Sequence, residues 1–395
     1  MNSDLDHDGL LRIVDDWSLR DRPPEPSVWR SVWRSGATPA GLSDRVALVI
    51  QGVRRCGKST LMRQLIARYG LDPARCAFVN FEDPRLVGRL GFETLQAIVD
   101  AFRARQPGPA PRVFLFDEIQ QVEGWQRWLR AELDRPRGDR FVVSGSNAAL
   151  LSGELGATLT GRHLTVELYP FDLEELRRAR PETTVADYLH GGGFPEPVTR
   201  PDGDLLLRQY FNDIVERDLR ERLGARSSRP LRQMVQMVLE SAGSELSLRR
   251  VAAPLGVAVE TAASYLEAAE LAYLVFGAPF FAWSERKRAS MPRKYYPIDT
   301  GLRRAVTTKL GADLGKALEC ATFLALRRRF GQVCYWRGPR GEVDFVVDDN
   351  GRTVPVQVSL DGLKPRHEAA LTSFYEAFPQ AAEARVVTLE TFSEL

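Results

Sequence analysis

Gly52-Val-Arg-Arg-Cys-Gly57-Lys58-Ser59 is the stretch of this chain with the clearest chemistry. Glycines at its first and sixth places let backbone N–H groups close round phosphates, and a helix starting at the lysine adds its positive dipole end. Lys58 would reach the β- and γ-phosphates of ATP, and the Ser59 hydroxyl would ligate Mg2+. Gly52, Arg54, Arg55, Gly57, Lys58, Ser59 and Thr60 are therefore the nucleotide-binding candidates. Downstream, Val113-Phe-Leu-Phe-Asp117-Glu118 is an apolar run ending in two acids. An open α/β sheet places its ligand at the carboxyl ends of its strands, so Asp117 is expected in the Mg2+ shell and Glu118 as the base that polarises water. That glutamate separates a hydrolase of the additional-strand type from a nucleotide kinase.

Phe141-Val-Val-Ser144-Gly-Ser146-Asn147 is another apolar run closing in polar residues. One of the three polar side chains would hydrogen-bond the attacking water between Glu118 and the γ-phosphate, and Asn147 is favoured. Arg162, in Leu159-Thr-Gly-Arg, and Arg217, in a later helical stretch, have two possible fates. Either arginine would reach a neighbouring subunit's nucleotide as a charge-stabilising finger, or pair with an acid at home.

Such residues need rigid elements behind them. Val46–Gln51, Cys76–Asn80, Val113–Asp117, Phe141–Ser144 and Leu164–Leu168 are apolar runs bounded by turn residues, as strands of a mostly parallel sheet covered on both faces would be. Residues 45–170 thus read as an α/β P-loop core. Residues 1–44 read as an N-terminal helical extension with an irregular, proline-rich stretch, and Trp29 and Trp33 lie four apart as on one face of a short docking helix. Residues 171–228 read as a helical lid, interrupted by a loop at His190-Gly-Gly-Gly-Phe-Pro-Glu-Pro.

Residues 229–294 have the small residues, turn glycine and apolar spacing of a helix-turn-helix, with wing strands expected over 271–297. The second helix carries Glu260, Glu267 and Glu270 and no Lys or Arg, the wrong sign for phosphates. The wing differs: Arg286, Lys287, Arg288, Arg293 and Lys294 lie beside Trp283, Tyr295 and Tyr296, a mixture suited to DNA backbone contact and stacking. From 295 to 395 the pattern returns to α/β.

Several of these segments together resemble the prokaryotic AAA-type ATPases in which a P-loop core precedes a helical lid, a winged helix and a restriction-endonuclease-like domain. The resemblance rests on the phosphate loop, Phe-Leu-Phe-Asp-Glu-Ile-Gln, Ser-Gly-Ser-Asn, Leu-Thr-Gly-Arg, Tyr-Pro-Phe, Gly-Gly-Phe-Pro-Glu, Glu-Arg-Asp, Tyr-Pro-Ile-Asp299-Thr-Gly301-Leu and Gly341-Glu-Val-Asp344-Phe. It implies ATP hydrolysis coupled to DNA work, on branched DNA for some members, or to defence. A hexameric ring is the expected assembly, and a nucleotide-gated switch or an ATP-regulated nuclease the alternatives. A nuclease core of that type needs a helix glutamate, an aspartate after a strand, and an acid or Gln two residues before a strand lysine. Glu319, Asp344 and Gln357 fall in those places, but Ser359 occupies the lysine position and the next lysine is Lys364. The expectation is a nuclease-like domain that has lost cleavage.

Composition narrows the partners. The 395 residues are 44% hydrophobic and 27% charged, with a net charge of +2, so any nucleic-acid contact must be a local patch. No apolar run approaches a membrane span, and the acidic first residues are unlike an export signal, so a cytoplasmic protein is expected. The four cysteines, Cys56, Cys76, Cys320 and Cys334, show no paired spacing, and no zinc site is expected.

Overall fold

The computed structural model describes residues 7–17, 28–33, 39–146, 158–308 and 313–395. The chain divides into two compact units, Met1–Leu168 and Tyr169–Leu395.

In the first unit five strands form one sheet: β1 (Ala47–Gln51), β2 (Cys76–Asn80), β3 (Val113–Asp117), β4 (Arg140–Gly145) and β5 (His163–Glu167). Their order is β2-β3-β4-β1-β5, and every pairing is parallel. The inner strands are buried on both faces, which is why they read as continuous apolar runs rather than alternating ones. β4 lies between β1 and β3, so the loop leaving β1, the acids leaving β3 and the serines leaving β4 meet at one edge.

Helices α1 (His7–Trp17), α2 (Lys58–Arg68), α3 (Phe92–Arg105) and α4 (Trp125–Asp134) belong to the same unit. Phe114 stacks on Phe141 with ring centroids 5.3 Å apart, and Trp128 meets Phe141 edge-on at 5.7 Å. Leu10, Ile13 and Val14, spaced three and four apart, bury in that core. α1 is thus a helix in the expected helical extension, placed before the proline-rich stretch; among the described residues around Trp29 and Trp33 the helical turn is the 3-10 turn Ser31–Trp33, which leaves Trp29 outside it.

The second unit begins with α5 (Leu173–Ala179), α6 (Val185–Gly191) and α7 (Gly203–Asp213), which runs on into a π-helical stretch, Ile214–Arg220. Then come α8 (Arg229–Glu240), α9 (Leu248–Leu255) and α10 (Val259–Leu271), followed by β6 (Val275–Ala278), α11 (Glu285–Ser290) and β7 (Lys294–Pro297). β6 and β7 pair antiparallel. α12 (Thr300–Val306) and α13 (Leu314–Phe330) lead to a second sheet of β8 (Cys334–Gly338), β9 (Gly341–Asp349), β10 (Arg352–Val358) and β11 (Arg385–Val387), with α14 (Pro365–Ala377) between its last two strands. Its order is β11-β10-β9-β8; β10 pairs antiparallel to β9 and parallel to β11. One clasp ties early and late segments together. The buried Asp299 carboxylate caps α12 by accepting from Leu302 N–H and also accepts from Gly193 N–H, both at 2.7 Å. A Cβ at Gly192 would collide with that carboxylate and one at Gly193 with the Phe171 backbone, which accounts for two of the three glycines.

Candidate nucleotide site

The edge where β1, β3 and β4 end gathers most of the residues singled out by sequence. A Cβ on Gly52 would collide with the Leu168 carbonyl, and Gly57 holds φ +100° immediately before α2 begins at Lys58. The buried Lys58 ammonium donates to the Gly52 and Val53 carbonyls at 3.1 and 3.2 Å and lies 3.8 Å from Glu118 Oε1. Ser59 Oγ donates to Asp117 Oδ2 at 2.5 Å, so the two predicted metal ligands are already in contact. Asp117 is fully buried, and Ser144 donates to its other oxygen. Arg54 and Arg55 lie on the loop, the latter with φ +70°; Thr60 is exposed in the first turn of α2.

Glu118 sits at φ +54°, a left-handed conformation that non-glycine residues adopt at a cost and that concentrates at functional sites. Its side chain accepts from Gln120 Nε2 at 2.5 Å and is hydrogen-bonded by Ser146. Burial pushes the carboxyl up, but Lys58 and then Arg54 outweigh it and hold Glu118 below its ordinary value. Asp117 moves the other way, raised by burial and by the charge of Glu118. The favoured sensor Asn147 lies outside the described residues; Ser144 and Ser146 are the described members of its trio and both touch the acids.

The donor set fits a magnesium nucleotide. A hydroxyl and a buried carboxylate are hard oxygen ligands of the kind Mg2+ takes, and a lysine and a helix N-terminus stand where phosphates need them. Two residues were missed. Arg30, buried, donates to the Cys56 carbonyl of the loop at 2.8 Å, and Arg54 pairs with Glu82 at 2.9 Å just beyond β2. Glu82 had a signal, since it too follows a strand's carboxyl end; Arg30 had none. Arg162 pairs with Asp134 at 2.8 Å, the home fate of the two expected. Arg217 is exposed on the π-helical stretch.

The basic run does not stay together. Arg286, Lys287 and Arg288 lie on α11, between the strands rather than on them, and Arg288 pairs with Glu285 at 2.9 Å. Arg286, Lys287 and Arg293 are exposed, as is Trp283 at 75%. Lys294 is a correction: it is buried, with its ammonium on Glu342, because β7 turns it inward. Tyr296, likewise buried, donates to Glu319 Oε1 at 2.9 Å.

Glu319, Asp344 and Gln357 do converge. Gln357 Nε2 and the Val358 N–H both donate to Asp344 Oδ2, at 2.5 and 2.8 Å. Burial, then the charge of Glu319, pushes Asp344 up to about 7. Lys316, one turn before Glu319 on α13, pairs with its Oε2 at 2.5 Å.

Comparison with known proteins finds likenesses along most of the chain. Residues 44–177 match the model of an AAA domain, and residues 182–313 match that of a domain of unknown function (DUF8612). The site just described lies within the stretch that matches the AAA domain model. An uncharacterised protein of Haemophilus influenzae is 29% identical over 339 residues, covering 81% of this chain and 84% of its own. One from Methanocaldococcus jannaschii is 26% identical, covering 83% of this chain and 78% of its own. The structure of the Thermotoga maritima RuvB Holliday junction branch migration motor aligns at 16% identity over 59% of this chain and 82% of that one, with a TM-score of 0.29, too loose to argue from. Among the described residues no helix is long and apolar enough to cross a membrane.

Proposed function

We propose that the chain is a Mg2+-dependent ATPase that couples hydrolysis to binding and remodelling or translocation of DNA, branched DNA included. The observation that carries the first half is the convergence of Lys58, Ser59, Asp117 and Glu118 at one sheet edge. Gly52, Arg54, Arg55, Gly57 and Thr60 surround the phosphates in this reading. Ser59 and Asp117 hold Mg2+, which when bound neutralises phosphate charge. Glu118, kept ionised by Lys58 and Arg54, takes a proton from the water that attacks the γ-phosphorus. Lys58 leaves its own loop's carbonyls for the β- and γ-phosphates. Ser146, or Asn147, orients the water.

DNA coupling rests on Arg286, Lys287 and Arg293, all exposed, and on Trp283, exposed too and two residues before α11 in the sequence. Charge for the backbone and a ring for stacking are what such contact needs. The helices α8 to α10 with β6 and β7 supply the elements of a winged helix, and α13 with the β8 to β11 sheet those of a restriction-endonuclease-like core. Arg217, exposed on the π-helical stretch, is the finger proposed to act in trans within a cytoplasmic hexameric ring. Turnover measured with duplex, forked and four-way DNA tests the reading. Stimulation by any of them, lost on reversing the charge of Arg286 and Lys287, is expected; no binding at low salt and no stimulation would leave the rival, a nucleotide-gated switch in signalling or defence.

A further inference from the structure

The acids that end β3 are followed by a turn that gives Glu118 a partner. Glu118 takes its left-handed φ of +54°, and a 3-10 turn, Ile119–Gln121, follows at once. It is closed by the Gln121 N–H on the Glu118 carbonyl at 3.1 Å and the Val122 N–H on that of Ile119 at 3.0 Å. Ile119 and Val122 are each 1% exposed and belong to the core of the first unit, which anchors both ends of the turn. Gln120 is thereby brought back over the acid two residues before it, and its Nε2 donates to Glu118 Oε2 at 2.5 Å. Glu118 Oε1 is the oxygen that faces Lys58, 3.8 Å from the ammonium and beyond hydrogen-bond reach. The two oxygens of the carboxylate are thus distinguished. The other end of the amide is different again: Gln120 Oε1 is buried and has no hydrogen-bond partner among the described residues. A buried acceptor costs free energy until a donor meets it, and an apolar side chain of the same size would carry no such cost.

We infer that Gln120 is a positioning residue for hydrolysis: its Nε2 holds Glu118 by Oε2, which assigns the proton to Oε1, and its own Oε1 accepts from the attacking water. The inference rests on the ATPase reading of this site. When Lys58 moves to the phosphates, the approach to Glu118 Oε1 is cleared. The water oxygen bonds to the γ-phosphorus as the bond from that phosphorus to the β,γ-bridging oxygen breaks. One of the water's protons goes to Glu118 Oε1 and passes on to solvent as ADP and inorganic phosphate leave. The other, held on Gln120 Oε1, restrains the water's rotation. General-base catalysis gains from that restraint because it depends on how well the proton, its acceptor and the attacked atom line up. Ser146 bonds the same carboxylate, so the base is held from two elements, the end of β4 and the turn after β3.

The test uses the full chain with Mg2+ and ATP. Turnover is expressed per site that binds a non-hydrolysable ATP analogue, which removes any misfolded fraction from the comparison. Gln120→Met, close in size and without an amide, is expected to lower kcat about 100-fold, the scale for a misplaced reacting group, with KM for ATP and affinity for the analogue within about twofold of the natural protein. The discriminating variant combines Glu118→Gln with Gln120→Met. A residue that acts through the base adds little once the base is gone, so the double variant should turn over within about threefold of Glu118→Gln alone. A side chain that merely shapes the turn would weaken analogue binding or multiply the two losses, and either result overturns the positioning role. A kcat for Gln120→Met within about threefold of the natural one overturns it too. Turnover by the natural protein and its loss in Glu118→Gln are measured first. Absence of either sinks the ATPase reading itself, whereas the other adverse results sink only the role of Gln120.

Discussion

Two acid pairs, each with a lysine at hand, sit in the two units of this chain and came about differently. Asp117 and Glu118 are neighbours in sequence, and their lysine precedes a serine in one unbroken loop-to-helix motif. Glu319 and Asp344 come from a helix and a strand, their amide from a third element, and their lysine from the preceding turn of the helix. In the first pair burial raises Asp117 while Lys58 and Arg54 hold Glu118 down, the split that the proposed roles of ligand and base call for. In the second the raised group is Asp344, and Lys316 is bound to the other member. A motif that is local in sequence specifies its chemistry residue by residue; an assembled cluster depends on tertiary contacts that no short pattern records.

The sharpest test of the local site is Glu118→Gln. Removing the base while keeping its shape should cut ATP turnover about 1,000-fold, within the range of a lost general base, and leave nucleotide binding intact in a filter or fluorescence assay. Loss of binding instead would mean that Glu118 serves the architecture of the loop.

For the assembled region the corresponding test is pH. Asp299 is pushed from 3.8 up to about 6 by burial, against the N–H donors of Gly193, Leu302 and Gly301. Its folded value lies above its unfolded one, so the folded state binds the proton more tightly, and the stability this gives is present in full below about pH 4 and lost as pH rises through 6. Linkage puts that loss at about 3 kcal/mol. Denaturant melts of the natural protein and of Asp299→Asn should therefore diverge in this window, with the difference between them falling from pH 4 to pH 7. Parallel curves would show that the clasp carries no buried titration.

Much of the first unit was legible for the same local reason. Buried parallel strands announce themselves as apolar runs, and the observed β2 and β3 have the bounds expected from Cys76–Asn80 and Val113–Asp117. In the helical extension the helix was expected at Trp29 and Trp33 rather than at Leu10, Ile13 and Val14, whose spacing carries it, because the tryptophan pair is the louder pattern. Lys294 was misread for a different reason. Charge runs are read as surface, but β7 is buried along its whole length and takes Lys294 in with it to Glu342, while its neighbours on α11 face out. Lys316 drew no notice in the sequence, since its pair with Glu319 is one of many i, i+3 charge pairs a helix allows.

Lys294→Met sharpens that lesson with a smaller effect. Breaking its pair with Glu342, whose side chain stays 30% exposed, should cost about 2 kcal/mol in thermal or urea melts, below the usual range for a fully buried pair. DNA affinity at low salt should hardly move, whereas Arg286→Glu should lower it severalfold. The reverse pattern would return Lys294 to the basic face.

The smallest expected effect is that of Arg162→Ala. Its guanidinium lies on Asp134, which Arg130 also holds at 2.8 Å, and Asp134 is open to solvent. Water screens such a pair, and Asp134 keeps a second arginine when Arg162 is removed. The melting temperature should stay where it is, and so should ATP turnover at protein concentrations that favour assembly. A finger acting in trans behaves otherwise: its loss leaves stability alone but removes about 1,000-fold or more from turnover. Arg217→Ala is the variant for which that pattern is expected. If Arg162→Ala shows it instead, the pairing with Asp134 is a resting contact that assembly exchanges for a neighbour's phosphate, and the local site is then local only in its loop and acids.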